Sequence, residues 1–158
     1  MIDIKVLISQ ARDAACNYPR ASHEQALTYS CEHLADDVLG IRIMSQKEIQ
    51  PWLEDICHTE DLDVPAIEFG RKRPTSLGVS FIDDHAVCLF GREIRQSTVL
   101  HELAHLSARA DNHGALFRDE LVRLTRAHLS VEYASLLHTL FVGCKLDVAP
   151  WGASARRY

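Results

Sequence analysis

Between Val99 and Phe117 the chain reads VLHELAHLSARADNHGALF, three histidines and an acid in a short span. Neutral imidazole is a common metal ligand, and a carboxylate can take a proton from water. On an α-helix, residues four apart lie one above the other, about 6 Å apart along the axis, so His101 and His105 could offer imidazoles to one ion. Glu102 projects in an adjoining direction, where it could reach a water activated by that ion and act as general base. This division of labour is why H-E-x-x-H suits metal-assisted hydrolysis. A shuffled chain with the same nine histidines would contain the motif with a probability of about 3%, so its surroundings must decide.

A catalytic zinc typically takes three protein ligands and keeps one position for water. His113 is the candidate third ligand. A helix ending near Arg109 could turn through Ala110 to Asn112 and return, since four residues of chain reach about 14 Å against the roughly 6 Å between the helical histidines. Asn112 tolerates a left-handed turn, and Gly114 lets backbone pass close by. Asp111, in the turn, and Glu120, in the next helix, compete for the same role, because two histidines plus a carboxylate also make a catalytic zinc set. The plain alternatives are a purely structural metal, or three unrelated histidines on an ordinary helix pair. The second would bury Glu102 among leucines at a desolvation cost.

The elements that must position these residues follow from periodicity. A first helix runs to about Tyr18, where Pro19 disfavours helical geometry before it. Ser22 with Gln25 opens a second, in which Leu27, Cys31, Leu34 and Val38 recur at helical spacing before Gly40. IRIM reads as a short strand, and Ser45 with Glu48 starts a third helix unless Pro51 is its first residue. After an acidic loop, HTEDLD, come three extended runs, PAIEF, SLGVSF and HAVCLF. Leu77, Val79 and Phe81 alternate, and Asp83 with Asp84 supplies turn chemistry, so the last two form a hairpin. From about Arg95 the period becomes helical, with Val99, Leu103 and Leu106 on one face. Further helices follow with Phe117, Leu121 and Leu124, and from Ser130 to Phe141, with Gly143 as the stop. The expected class is α+β, one domain over residues 1–148 with a mobile tail over 149–158.

Bulk properties narrow the function. A chain of 158 residues, 47% hydrophobic and 25% charged, has the size and balance of a single globular domain. The net charge of −5 argues against wrapping nucleic acid or lying on anionic membranes. Five cysteines without a C-x-x-C pair match neither a disulfide framework nor a thiolate zinc cluster, so reduced thiols in the cytoplasm are expected. MIDIKVLISQARD is too interrupted by polar residues for a signal sequence, and no run approaches a membrane span.

HELAH, seven residues, then HGALF resembles the zincin pattern of the SprT-like and WLM metallopeptidases. More closely, the chain resembles a family of small zincin-like metallohydrolases of actinobacteria and their phages, from the helix ending near Val38, through the hairpin, to LSVEYASLLHTLF. The resemblance implies a minimal zincin-like metallopeptidase fold, one Zn2+ held by His101, His105 and His113, and Glu102 as base. SprT-like proteins usually have a longer gap before H-G and often a zinc ribbon after it. This chain has neither, so their role in DNA repair does not carry over, and no substrate is implied. In zincins the strand before the metal helix is a sheet edge that receives an extended peptide; by that likeness His85 to Phe90 would line the cleft.

The expected function is a zinc-dependent peptidase acting on a peptide or protein. The alternative is a metal-stabilised interaction module, regulatory or DNA-associated, without turnover; hydrolysis of another amide or of nucleic acid would use the same ligands. Iron, manganese or nickel could also occupy three imidazoles. Tyr133 is the candidate donor to a developing oxyanion, with His85, His128 and His138 as the other available groups, although a helical tyrosine is as much at home in a core. Arg71 to Arg73, RKR, reads as a solvated hairpin tip or a contact for an acidic partner or nucleic acid.

Overall fold

Asp3 opens the first helix by accepting hydrogen bonds from the backbone N–H groups of Lys5 and Val6 at 3.0 and 3.4 Å, as an N-cap aspartate does. This helix, α1 (Ile4–Ala14), ends sooner than its pattern suggests, in a 3-10 turn over Ala15–Asn17. The computed structural model describes residues 1–155. Ser22 caps α2 (His23–Leu39) through the Gln25 N–H at 3.1 Å. Short β1 (Ile43–Ser45) leads into α3 (Gln46–Glu60), whose Glu48 carboxylate accepts from the Ser45 N–H at 2.8 Å. Pro51 therefore lies inside α3 rather than at its start, and the first half of the expected acidic loop is helical.

Three strands follow, β2 (Ala66–Gly70), β3 (Gly78–Phe81) and β4 (Ala86–Phe90), in the order β2-β4-β3. The β3–β4 hairpin turns through residues 82–85, including Asp83 and Asp84, and is antiparallel, whereas β2 runs parallel to β4. Two expectations need correction. HAVCLF is the central strand rather than an edge, and it does not lead directly into the histidine helix. A further strand, β5 (Glu93–Arg95), intervenes and pairs antiparallel with β1.

The remaining helices are α4 (Gln96–Ala108), α5 (Ala115–His128) and α6 (Val131–Gly143). Contacts gather into two compact units, residues 41–111 and residues 1–40 with 112–158. In the first, Ile49, Leu53 and Ile56 of α3, Leu89 of β4, and Leu100 and Leu103 of α4 are buried. In the second, Leu27, Cys31 and Ala35 form the apolar stripe of α2, alongside buried Phe117, Leu121, Leu137 and Phe141. Gly143 is needed where α6 meets α1, because a Cβ there would stand 2.3 Å from Ile8 Cδ1.

The segment 149–158, expected to be a mobile tail, is described as far as Ala155. Trp151–Ser154 form a 3-10 turn, the Arg126 guanidinium lies 4.3 Å from the Trp151 ring centroid, and Arg126 Nη1 donates to Ser154 Oγ at 2.9 Å. The last three residues of that segment lie outside the described residues. Among the described residues, no helix is long and apolar enough to cross a membrane.

Candidate metal centre

α4 carries His101 and Glu102 at its middle and His105 one turn further on. His105 and Glu102 are each 5% exposed, and His101 is half-buried. The rings of His101 and His105 stand 5.0 Å apart between centroids, one helical turn apart as the spacing predicts. α4 stops at Arg109, which takes the left-handed conformation at φ 49°. The turn chemistry assigned to Asn112 therefore falls to Arg109. Asn112 has another role, accepting the Gly114 N–H on its side-chain oxygen at 3.0 Å.

This reversal returns the chain to the helix end. Ala110 N–H donates to His105 O at 3.1 Å, and His105 Nδ1 lies 2.6 Å from Ala110 O. A carbonyl can only accept, so Nδ1 carries the proton and Nε2 is the nitrogen of this ring whose lone pair suits a metal. His113 follows three residues later. One ring nitrogen from each of His101, His105 and His113 lies within 4.8 Å of the others. Nitrogens sharing one tetrahedral zinc at about 2.1 Å stand about 3.4 Å apart, so the three imidazoles would draw together on binding an ion. The three histidines are close enough to hold a metal ion.

The competing carboxylates stand differently. Asp111 is exposed, and Glu120 is engaged by Arg123, with Nη2 2.5 Å from Oε1 and Nε 3.1 Å from Oε2.

Glu102 is set by β3, which packs along α4. Ser80 Oγ lies 2.6 Å from Glu102 Oε2 and 2.9 Å from Glu102 O. A Cβ on Gly78 would lie 3.0 Å from both Glu102 Cγ and Oε1. The face of β3 turned to the helix therefore carries Gly78 and Ser80, while Leu77 and Phe81 are 46% and 47% exposed. The alternation of Leu77, Val79 and Phe81 was legible in the sequence; that the smaller residues between them face the helix was not. A glycine inside a strand signals close backbone approach, and Gly78 was the available clue.

His113 is seated by its neighbours in sequence and by α2. Its ring meets Phe117 and Tyr29 edge-on, each at 4.9 Å between centroids. Arg118, 1% exposed, donates from Nη1 to His113 O at 2.6 Å and from Nε to Asp147 O at 2.9 Å, and pairs with Glu24 at 2.8 Å. A buried guanidinium is tolerated only with such partners. Nothing in the local sequence distinguished Arg118 from a solvated helical arginine.

Tyr133 is buried at 3% exposure, and its hydroxyl donates to Asp36 Oδ1 at 2.7 Å. His85 and His138 each meet a backbone carbonyl through Nε2, of Asp63 and of Ala149. No family model, curated protein or solved structure matches the chain.

Proposed function

We propose that the protein is a metal-dependent hydrolase, a zinc peptidase with the zincin arrangement, in which His101, His105 and His113 hold the ion and Glu102 is the general base. The observation that carries this reading is the convergence of three imidazole nitrogens within 4.8 Å beside a buried carboxylate one residue from the first ligand. Zinc, when bound by three imidazoles, lowers the pKa of a water and polarises a substrate carbonyl.

The chain's own residues supply the remaining work. Glu102 takes the proton from the attacking water and returns it to the leaving amine, a role that needs a carboxylate held in one rotamer. Ser80 and Gly78 restrict that rotamer. The Nδ1–H of His105, held by Ala110 O, assigns the ligand role to Nε2 and orients the ring. An extended substrate has a place to bind on β3. Leu77 O accepts from Phe90 N–H at 3.0 Å, so by the alternation of an antiparallel ladder the N–H and C=O groups of Gly78 and Ser80 point to the free edge. A peptide paired there passes beside Glu102. A part for Tyr133 as oxyanion donor requires it to exchange its bond to Asp36, and Tyr133→Phe tests this through kcat.

The experiment is Glu102→Gln in zinc-loaded protein, assayed against a peptide library. The reading expects metal retained and turnover lost by at least a hundredfold. Unchanged turnover would overturn the mechanism. Absence of turnover in both proteins, with unfolding on metal removal, would favour a metal-stabilised interaction module.

A further inference from the structure

The loop that joins β2 to β3 carries Arg71, Lys72 and Arg73. It is a crossover rather than the hairpin tip expected from sequence. Because β2 and β4 are parallel, the loop spans the C-terminal end of β4, and Gly91 N–H donates to Gly70 O at 3.0 Å beneath it. Gly91 has φ 95°, and a Cβ there would already meet Lys72 Cβ at 3.7 Å, so the loop lies close on the strand end. Together with Arg92 the three loop cations surround a groove of about 710 Å3 with Phe69 and Leu77 on its wall.

The electrostatics of this groove are uncompensated. Among the described residues, Arg71, Lys72 and Arg92 form no salt bridge and no side-chain hydrogen bond. Arg73 is stacked over the Phe90 ring at 4.1 Å, which fixes its guanidinium while leaving its charge unanswered. Four cations face a single lining carboxylate, Glu93, in a chain of net charge −5. Self-repulsion among exposed cations is a cost that a bound anion removes.

The position of the groove identifies the anion. Its wall ends at Ser76 and Leu77, and the next residue, Gly78, begins β3 and abuts Glu102. An extended chain advances about 3.3 Å per residue, so one lying on the β3 edge beside Glu102 enters the groove within a few residues. Resting on the peptidase reading above, we infer that the groove is a specificity subsite for acidic side chains, and that the substrates are polypeptides with a run of Asp or Glu to one side of the scissile bond. Single-stranded nucleic acid is the less favoured occupant. Such binding relies on successive exposed aromatic faces for base stacking; of the two rings lining the groove Phe90 is 6% exposed, beneath Arg73, which leaves Phe69, 36% exposed, as a single face.

The test uses the zinc-loaded full chain and fluorescence anisotropy with three labelled probes of similar length: a peptide with four consecutive glutamates, the same peptide with glutamines, and an oligothymidylate. The glutamate peptide is expected to bind at least tenfold more tightly than the glutamine peptide. That preference should fall with added salt and disappear in Arg71→Ala/Lys72→Ala/Arg92→Ala, whose residues are exposed and whose folding is checked by Tm. Arg92→Ala alone should remove part of it. Equal affinity for the two peptides, a preference unchanged in the triple variant, or tighter binding of the oligothymidylate would overturn the inference. Cleavage is followed separately on the same peptides. Preferential binding without cleavage supports the subsite and fails the peptidase reading; cleavage of both peptides at equal kcat/KM fails the subsite and leaves that reading intact.

Discussion

Ser80 Oγ stands 2.6 Å from Glu102 Oε2, joining the sheet edge to the proposed base by a short hydrogen bond to a carboxylate. Bonds of this kind contribute about 1.5–3 kcal/mol, which as a barrier corresponds to roughly tenfold to a hundredfold in rate. Ser80→Ala should lower kcat by that factor while leaving metal content at the wild-type value. Steady-state kinetics with parallel metal analysis measures both, and an unchanged kcat would remove Ser80 from the account.

Gly78→Ala tests the same carboxylate by crowding instead of by a lost bond. The added methyl would sit 3.0 Å from Glu102 Cγ and Oε1, closer than ordinary contact, so Glu102 must move. Turnover is expected to fall by more than in Ser80→Ala, again with metal retained. A variant as active as wild type would show that the Glu102 rotamer is unimportant.

Arg118 ties His113 to α2 through His113 O and Glu24. Arg118 is buried while Glu24 is 56% exposed, so Arg118→Met strands no buried charge. It leaves His113 O and Asp147 O without their donor, a loss of about 1–3 kcal/mol each that should lower Tm. Arg118→Lys keeps the charge but not the planar fork, and it should fold while binding metal about tenfold to a hundredfold more weakly, the range seen when outer partners of ligands are lost. Competition with a chromophoric chelator reads that affinity. Wild-type affinity in the lysine variant would confine Arg118 to stability.

The thiols give a pH prediction. The Cys144 thiolate accepts a hydrogen bond from Cys31, 3.8 Å between sulfurs, and stands near the Arg12 guanidinium, which together lower its pKa to about 7. Cys31 is pushed the other way by that bond to Cys144 and by its burial. Burial, with Glu60 nearby, raises Cys57 to about 11. A lowered pKa means that the reactive thiolate is present at lower pH. Alkylation of Cys144, which borders a surface cavity of about 590 Å3, should therefore rise with a midpoint near pH 7, while Cys57 stays unmodified at pH 8. Peptide mapping after iodoacetamide treatment distinguishes the sites, and a Cys144 midpoint near 9 would contradict the assignment.

Much of this arrangement was legible in the sequence because it is encoded locally. The Ser22 cap, the Ser45–Glu48 pair, the turn at Asp83 and Asp84 and the helical spacing of His101 and His105 each depend on residues only a few positions apart. Long-range choices were not legible. Which face of β3 turns inward was decided by α4, whose Glu102 leaves room only for Gly78 and Ser80. The pairing of β1 with β5 joins two three-residue strands too short to show a period. The use of Arg118 depends on α2, more than eighty residues earlier in the chain, and the RKR loop became a crossover because β2 pairs parallel with β4.

The central claim is that three histidines share one metal ion, and the most direct measurement is metal content by mass spectrometry on protein purified without chelator, comparing wild type with His113→Ala. The account predicts one zinc per chain in the wild type and its loss in the variant. A wild-type protein that carries no metal and takes up none on addition of zinc would contradict it, and His101, His105 and His113 would then be neighbours without a common ligand.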